Sequence, residues 1–273
     1  MMTDDDFESR ISGLIRRLEQ LPGAVVAFSG GVDSAMLLHA CAAALGDRVL
    51  AVTADSPSLP RVELADAELF AEEHGIEHVI LDTAELRREG YQENAPDRCF
   101  FCKTELFEVI AAQIARVSDA GWPVLYGAIP EDDGEHRPGA QAAAQHGVLA
   151  PLRELGICKD EVRRYSRAHG LATADKPSFA CLASRIPYGT RVTAELLGQL
   201  ERAEGVLRDL GYQQFRVRHH GTVARIELLP DEFHRAVTED REAISQGVRA
   251  AGYLYVSLDL TGYRSGAMNE VLR

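Results

Sequence analysis

The chain has 273 residues, of which 42 are acidic and 29 basic, and its formal net charge of −13 disfavours a nucleic-acid backbone as partner and leaves any anion site to local arginines. No apolar run approaches the ~20 residues of a membrane span, and the acidic start Met1-Met2-Thr3-Asp4-Asp5-Asp6 is the reverse of a signal peptide's basic leader, so a cytoplasmic protein with no membrane partner is expected. The length exceeds the ~100–200 residues of a common domain, and five cysteines, an odd number in a reducing compartment, point to thiol or metal chemistry ahead of disulfides.

Phe7, Ile11, Leu14, Ile15 and Leu18 recur at helical spacing and predict a first helix ending near Leu21-Pro22-Gly23. A strand over Ala24–Phe28 then runs through Ser29-Gly30-Gly31-Val32-Asp33-Ser34 into the helix-like Ala35-Met36-Leu37-Leu38. A strand-to-helix turn of this composition is a phosphate cradle. Gly30 and Gly31 let backbone approach an anion, Ser29 and Ser34 offer hydroxyls, and the helix adds unpaired N–H groups and its positive dipole end. No lysine follows the glycines, so the β/γ-phosphate grip of a Walker loop is missing; the loop suits a pyrophosphate that departs when ATP adenylates an acceptor. The plain alternative is a glycine turn of any α/β protein.

The pattern then predicts a strand over 48–54, a helix over 61–74 closed by Gly75, a strand over 77–81, a helix over 103–117 and a strand over 123–127. Alternating strands and helices make a parallel, doubly wound α/β sheet, whose ligand lies beyond the carboxyl ends of its strands, where Ser29, Asp55 and Gly127 fall. The segment from Gly127 to Gly139 clusters carboxylates that either hold Mg²⁺ near ATP or form a solvated acidic loop.

The first domain is expected over 1–155 and a smaller α+β domain over 156–273. From about Asp160 the texture changes to a short helix and then an irregular run, Lys176 to Thr190, too long for a mere connector. An amphipathic helix carrying Leu196, Leu200, Ala203, Leu207 and Leu210 follows, then alternating strands at 215–219 and 223–228, a helix near 231–237 and a last strand at 253–260.

Cys99-Phe100-Phe101-Cys102 reads as a C-x2-C pair in a loop, with Cys102 opening a helix. It has neither the second pair of a structural zinc site nor the context of a thioredoxin motif, so a third thiol is needed. Cys181, beside Ser184 and Arg185 in the irregular run, is the candidate, since a guanidinium favours a thiolate. Cys41 reads as apolar packing, and Cys158 has no obvious partner. Arg216 and Arg218, one residue apart in a strand, share a face and form either a phosphate fork or a solvated charged face, with Arg225 and Glu227 of the next strand able to pair with each other.

The SGGVDS loop resembles the PP-loop of ATP pyrophosphatases. Together with RCFFCK, the GAIPEDDGEHRPG segment, DKPSFACLASRIPYGT and RVRHH…ARIE, in this order across nearly the whole chain, it resembles the LarE-type sulfurtransferases that act on pyridinium-3,5-biscarboxylic acid mononucleotide. The resemblance implies ATP and Mg²⁺ as cofactors, Ser29, Gly30, Gly31, Asp33, Ser34, Asp55 and Gly127 at the nucleotide, and adenylation of the substrate carboxylates before sulfur replaces oxygen. It implies substrate phosphate on Ser184, Arg185, Arg216 and Arg218, catalytic roles for Asp33, Cys181, Glu204 and Asp231, and a homo-oligomer. Members differ in sulfur source: either Cys99, Cys102 and Cys181 hold a 4Fe-4S cluster that passes on sulfide, or Cys181 is sacrificed. One departure stands out, because Gly127-Ala128-Ile129 replaces the usual G-T-N and puts Mg²⁺ or nucleotide contacts from that loop in question. A tRNA thiolase of the PP-loop class and a non-enzymatic nucleotide-binding module are the rival readings; the acidic charge opposes the first, and Cys181 is superfluous on the second.

Overall fold

The computed structural model describes residues 4–132, 138–177, 180–264 and 266–272. In chain order the elements are α1 (Asp4–Glu19), β1 (Ala24–Ala27), α2 (Val32–Leu45), β2 (Val49–Asp55), α3 (Arg61–Glu73), β3 (His78–Asp82), α4 (Glu89–Gln92), α5 (Arg98–Gln113), α6 (Ala115–Ser118), β4 (Val124–Tyr126), α7 (Pro138–Gln145), α8 (Pro151–Glu154) and α9 (Lys159–Ala168). There follow α10 (Ala194–Asp209), β5 (Phe215–His220), β6 (Val223–Leu228), α11 (Phe233–Thr238), α12 (Arg241–Ala250) and β7 (Tyr255–Leu258). The helix expected from Lys103 begins at Arg98 instead, so Cys99 and Cys102 lie in its first two turns rather than in a loop.

The chain divides into two compact units, Met1–Glu85 with Asp97–Ser178 and Leu86–Pro96 with Phe179–Arg273. The boundary expected at 155/156 therefore moves to 178/179. Its physical reason is burial: Leu152, Ile157, Val162, Tyr165 and Leu171 share one core with Leu37 and Leu38 of α2, so α8 and α9 belong to the first unit.

In the first unit four parallel strands run in the order β3-β2-β1-β4. Period-2 alternation sends Ala24, Val26 and Phe28 into a core with α1, α2 and α9, and Val25 and Ala27 into a second core with Phe107 and Ile110 of α5. Both faces are covered, as a parallel sheet requires. The order reverses between β1 and β4, so the switch point, where such sheets bind ligands, lies at the end of β1.

In the second unit β5 pairs antiparallel with β6, which pairs parallel with β7, and the hairpin turns at Gly221 with φ of +62°. Thr193 caps α10 by accepting the Leu196 N–H at 3.2 Å. The helix buries Leu197, Leu200, Ala203 and Leu207. Asn94, from the 86–96 segment, is fully buried with φ of +54°, a conformation Asn tolerates better than branched residues. Its Nδ2 donates to the carbonyls of Ile186, Pro187 and Thr190 at 3.2, 2.8 and 3.1 Å, pinning the run that follows Arg185.

Candidate functional sites

At the switch point of the first unit, Gly31 is the N-cap of α2 and makes no side-chain capping bond. Ala35 is the first amide to bond back into the helix, to the Gly31 carbonyl at 2.9 Å, so the first-turn amides of Val32, Asp33 and Ser34 face outward as anion donors. The loop is rigid. Ser34 Oγ donates to the Gly31 carbonyl at 3.0 Å and lies 3.1 Å from Ser29 Oγ. Gly30 has φ of +70°, and a Cβ there would lie 3.2 Å from the Glu63 carbonyl. A Cβ on Gly127, just beyond β4, would lie 2.7 Å from Ser34 N. Two predicted glycines are thus required by close approach at one place.

Two lysines complete this site, and sequence reasoning missed both. Lys159 Nζ donates to both Asp33 carboxylate oxygens at 2.7 and 2.6 Å. Burial raises the Asp33 carboxyl above its usual value, the Lys159 ammonium opposes the rise, and nearby Asp132 adds to it. The overlooked signal was a cation in the first turn of α9, where the helix dipole disfavours it unless a carboxylate holds it. Lys176 pairs with Glu63 and Asp66, each at 2.8 Å, and its Nζ lies 3.4 Å from the Gly30 carbonyl. Burial works against the Lys176 charge, but the bonds to Asp66 and Glu63 outweigh it and raise the ammonium above its ordinary range. Asp55, at the end of β2, pairs with Arg61 at 2.6 Å.

The altered Ala128-Ile129 pair is buried at 6% and 3% exposure, and Asp132 Oδ2 accepts the Ile129 N–H at 3.2 Å. Among the described residues of this loop, polar contacts come from Glu131 and Asp132 rather than from positions 128 and 129. Asp133, Gly134, Glu135, His136 and Arg137 of the acidic segment lie outside the described residues, as do Ser178 and Phe179.

In the second unit the strand face that reads as either a phosphate fork or a solvated charged face is buried: Arg216 and Arg218 are 7% and 8% exposed. Arg218 makes a two-pronged pair with Glu227 at 3.0 and 2.8 Å and donates to the Ser184 carbonyl at 2.9 Å. Arg225 pairs with Glu227 at 3.2 Å, as the sequence suggested, and also with Asp259. The Arg216 guanidinium lies 5.0 Å over the Tyr263 ring. Burial and then the charge of Arg185 pull the Arg216 guanidinium below its ordinary value, with Arg218 adding to the fall. Positive charge is crowded here, and a bound phosphate would relieve it.

Arg185 has a wholly buried side chain, and its fork is engaged by Glu204 and by oxygens of the cysteine run. Glu204, 1% exposed, is held by Arg185 and the Val217 N–H. Asp231 lies exposed in a turn after β6. Cys181, at the N-cap of the turn Leu182–Arg185, and Cys102 are half-buried, Cys99 is exposed, and Cys41 is buried as expected. Cys158 caps α9, its N–H donating to Glu161 at 2.8 Å. Among the described residues no three His, Cys, Asp or Glu side chains form a group that could hold a metal ion.

A lysine-free glycine loop on a bare helix N-terminus, at the switch point of a parallel sheet, defines a nucleotide-binding protein of the PP-loop ATP pyrophosphatase class. Residues 23–95 match the family model described as queuosine biosynthesis protein QueC. The chain belongs to the family of pyridinium-3,5-bisthiocarboxylic acid mononucleotide synthases, being 34% identical to that enzyme of Lactiplantibacillus plantarum over 95% of this chain and 93% of the synthase. It is also 41% identical to an uncharacterized Synechocystis protein over 97% of this chain and 98% of that protein. A glutamine-hydrolyzing GMP synthase of Paraburkholderia phytofirmans is 28% identical over 65% of this chain and 36% of that enzyme.

Proposed function

We propose that this protein is an ATP-dependent sulfurtransferase that converts the carboxylates of pyridinium-3,5-biscarboxylic acid mononucleotide to thiocarboxylates in nickel-pincer nucleotide assembly. The observation that carries the reading is the loop at α2, with outward amides and the Asp33–Lys159 pair, in a chain that matches the synthase end to end. A substrate carboxylate oxygen attacks the α-phosphorus of ATP and pyrophosphate leaves, its charge held by the α2 amides and Lys159. Sulfur then attacks the acyl carbon and AMP leaves. The crowded guanidiniums of Arg216 and Arg218, with Ser184, take the substrate phosphate.

Asp33 and nearby Asp132 are the carboxylates that would hold Mg²⁺, which screens phosphate charge when bound. For the sulfur, the family resemblance offers Cys99, Cys102 and Cys181 as the ligands of a 4Fe-4S cluster; Cys99 and Cys102 lie three residues apart on α5, and the described residues form no group of three such side chains. When bound, the cluster would supply an exchangeable sulfide. In the second reading Cys181 donates its own sulfur: the thiolate forms a thioester, and loss of the Cα proton cleaves the Cβ–S bond to leave dehydroalanine.

ATP–pyrophosphate exchange tests the adenylation. Exchange that requires the pyridinium mononucleotide is expected; exchange stimulated by tRNA instead, or none with either, refutes the reading. Mass spectrometry after turnover separates the sulfur sources, since dehydroalanine at 181 with activity retained in Cys99→Ala excludes the cluster route.

A further inference from the structure

We propose that Arg185 and Glu204 form a buried positioning pair that fixes the backbone of Cys181 and orients the Ser184 hydroxyl, so that one guanidinium ties the sulfur position to the anion position. The inference rests on the sulfurtransferase reading for its role and on the second unit alone for its geometry.

Arg185 presents two edges. Its Nε and Nη2 meet Glu204 Oε1 and Oε2 at 2.8 and 3.1 Å, a two-pronged pair with side chains 0% and 1% exposed. Its Nη1 donates into the cysteine run, to the Ala180 carbonyl at 2.6 Å, the Cys181 carbonyl at 3.3 Å and Ser184 Oγ at 2.9 Å. The Ser184 N–H closes the turn onto the same Cys181 carbonyl at 2.9 Å. Both peptide carbonyls flanking the Cys181 Cα are therefore held by one planar group, while the thiol stays half-exposed.

The same bonds set the polarity of Ser184. Arg185 occupies a lone pair of its Oγ, and Arg218 Nη1 holds its carbonyl at 2.9 Å. The hydroxyl accepts from Arg185 and keeps its own proton to donate, which is what an incoming phosphate oxygen needs. Glu204 extends the frame to β5, because Oε1 also accepts the N–H of Val217, the residue between Arg216 and Arg218, at 3.0 Å.

A fully buried ion pair is a poor way to gain stability, since a well-packed apolar pair often serves as well. An apolar pair cannot grip three oxygens of a loop, and a lysine cannot do so while meeting a carboxylate in two-pronged fashion. The arrangement suits precise placement of a nucleophile, for which a 1 Å error costs about 100-fold in rate.

The test compares wild type with Arg185→Lys and with the double variant Arg185→Met/Glu204→Gln. The double variant removes both charges and keeps an acceptor for the Val217 N–H, so it is the variant expected to fold even if Arg185→Lys does not. Three rates are measured: ATP–pyrophosphate exchange at saturating mononucleotide, single-turnover thiocarboxylate formation, and alkylation of Cys181 by iodoacetamide in the protein without nucleotide, followed by peptide mass spectrometry. In the folded variants exchange should stay within about threefold while thiocarboxylate formation falls about 30-fold or more and the alkylation rate changes about fivefold or more. Equal losses in exchange and transfer, as general destabilisation gives, would overturn the proposal. If wild type makes no thiocarboxylate the functional reading fails, and the alkylation rate still decides the positioning: a changed rate supports it, an unchanged one overturns it.

Discussion

Substitution of Gly127 by alanine puts the nucleotide loop under direct test. The added Cβ would meet Ser34 N at 2.7 Å and the Asp33 carbonyl carbon and Ser34 Cα at 2.9 Å each, all backbone, about 0.5–0.7 Å inside the 3.4 Å at which ordinary contact begins. The α2 terminus cannot simply recede, because Val32, Ala35 and Met36 are 4%, 0% and 0% exposed. Overpacking of this kind costs about 1–3 kcal/mol, which for a protein of this size lowers Tm by about 2–10 °C. The same displacement misdirects the outward amides, so ATP affinity should fall about 10- to 100-fold, or about 1.4–2.8 kcal/mol. Calorimetric titration of Mg·ATP and thermal melting read the two effects. Gly205→Ala is the control: it sits inside α10 with nothing within 4 Å of the new Cβ and should stabilise by about 0.5–1 kcal/mol. Wild-type affinity in a Gly127→Ala protein of lowered Tm would show that the clash is real and the loop is not the nucleotide site.

Two further outcomes involve protons. Lys159→Gln removes the ammonium that opposes the rise in the Asp33 carboxyl, so the acid limb of ATP–pyrophosphate exchange should move to higher pH; an unmoved limb would show that Asp33 ionisation does not govern it. Burial, followed by His169 and His74 beside it, pulls His39 from 6.5 down to about 4. The unfolded chain takes a proton near 6.5 while the folded chain resists until about 4, so stability present above 6.5 is lost as pH falls through that window. His39→Gln should flatten the dependence of Tm on pH between 7 and 4, and an unchanged slope would refute the assignment.

Much of the first unit was legible because its signals are local. Apolar runs at strand length, helical stripes such as Leu14 and Leu18, and a glycine loop between strand and helix predicted the parallel sheet and placed Ser29, Asp55 and Gly127 at strand ends. The strands β5 and β6 and the amphipathic α10 were equally plain, whereas the antiparallel pairing of the two strands came from the structure. The domain boundary was misplaced because loss of strand–helix alternation after residue 155 looked like a new domain, whereas apolar residues of α8 and α9 complete the core around α2.

The sequence alone determined the main strands and helices of the sheet and where a phosphate can approach it, since periodicity, glycine and helix ends act over a few residues. Only the tertiary structure decided what each charge does. Lys159 meets Asp33 across 126 positions and Arg185 meets Glu204 across 19, and Arg216 and Arg218, for which the alternating strand left a phosphate fork and a solvated face both open, are buried. A buried charge is tolerable only where a counter-charge or a set of oxygens comes to it, and which partner arrives is settled by the packing of distant elements.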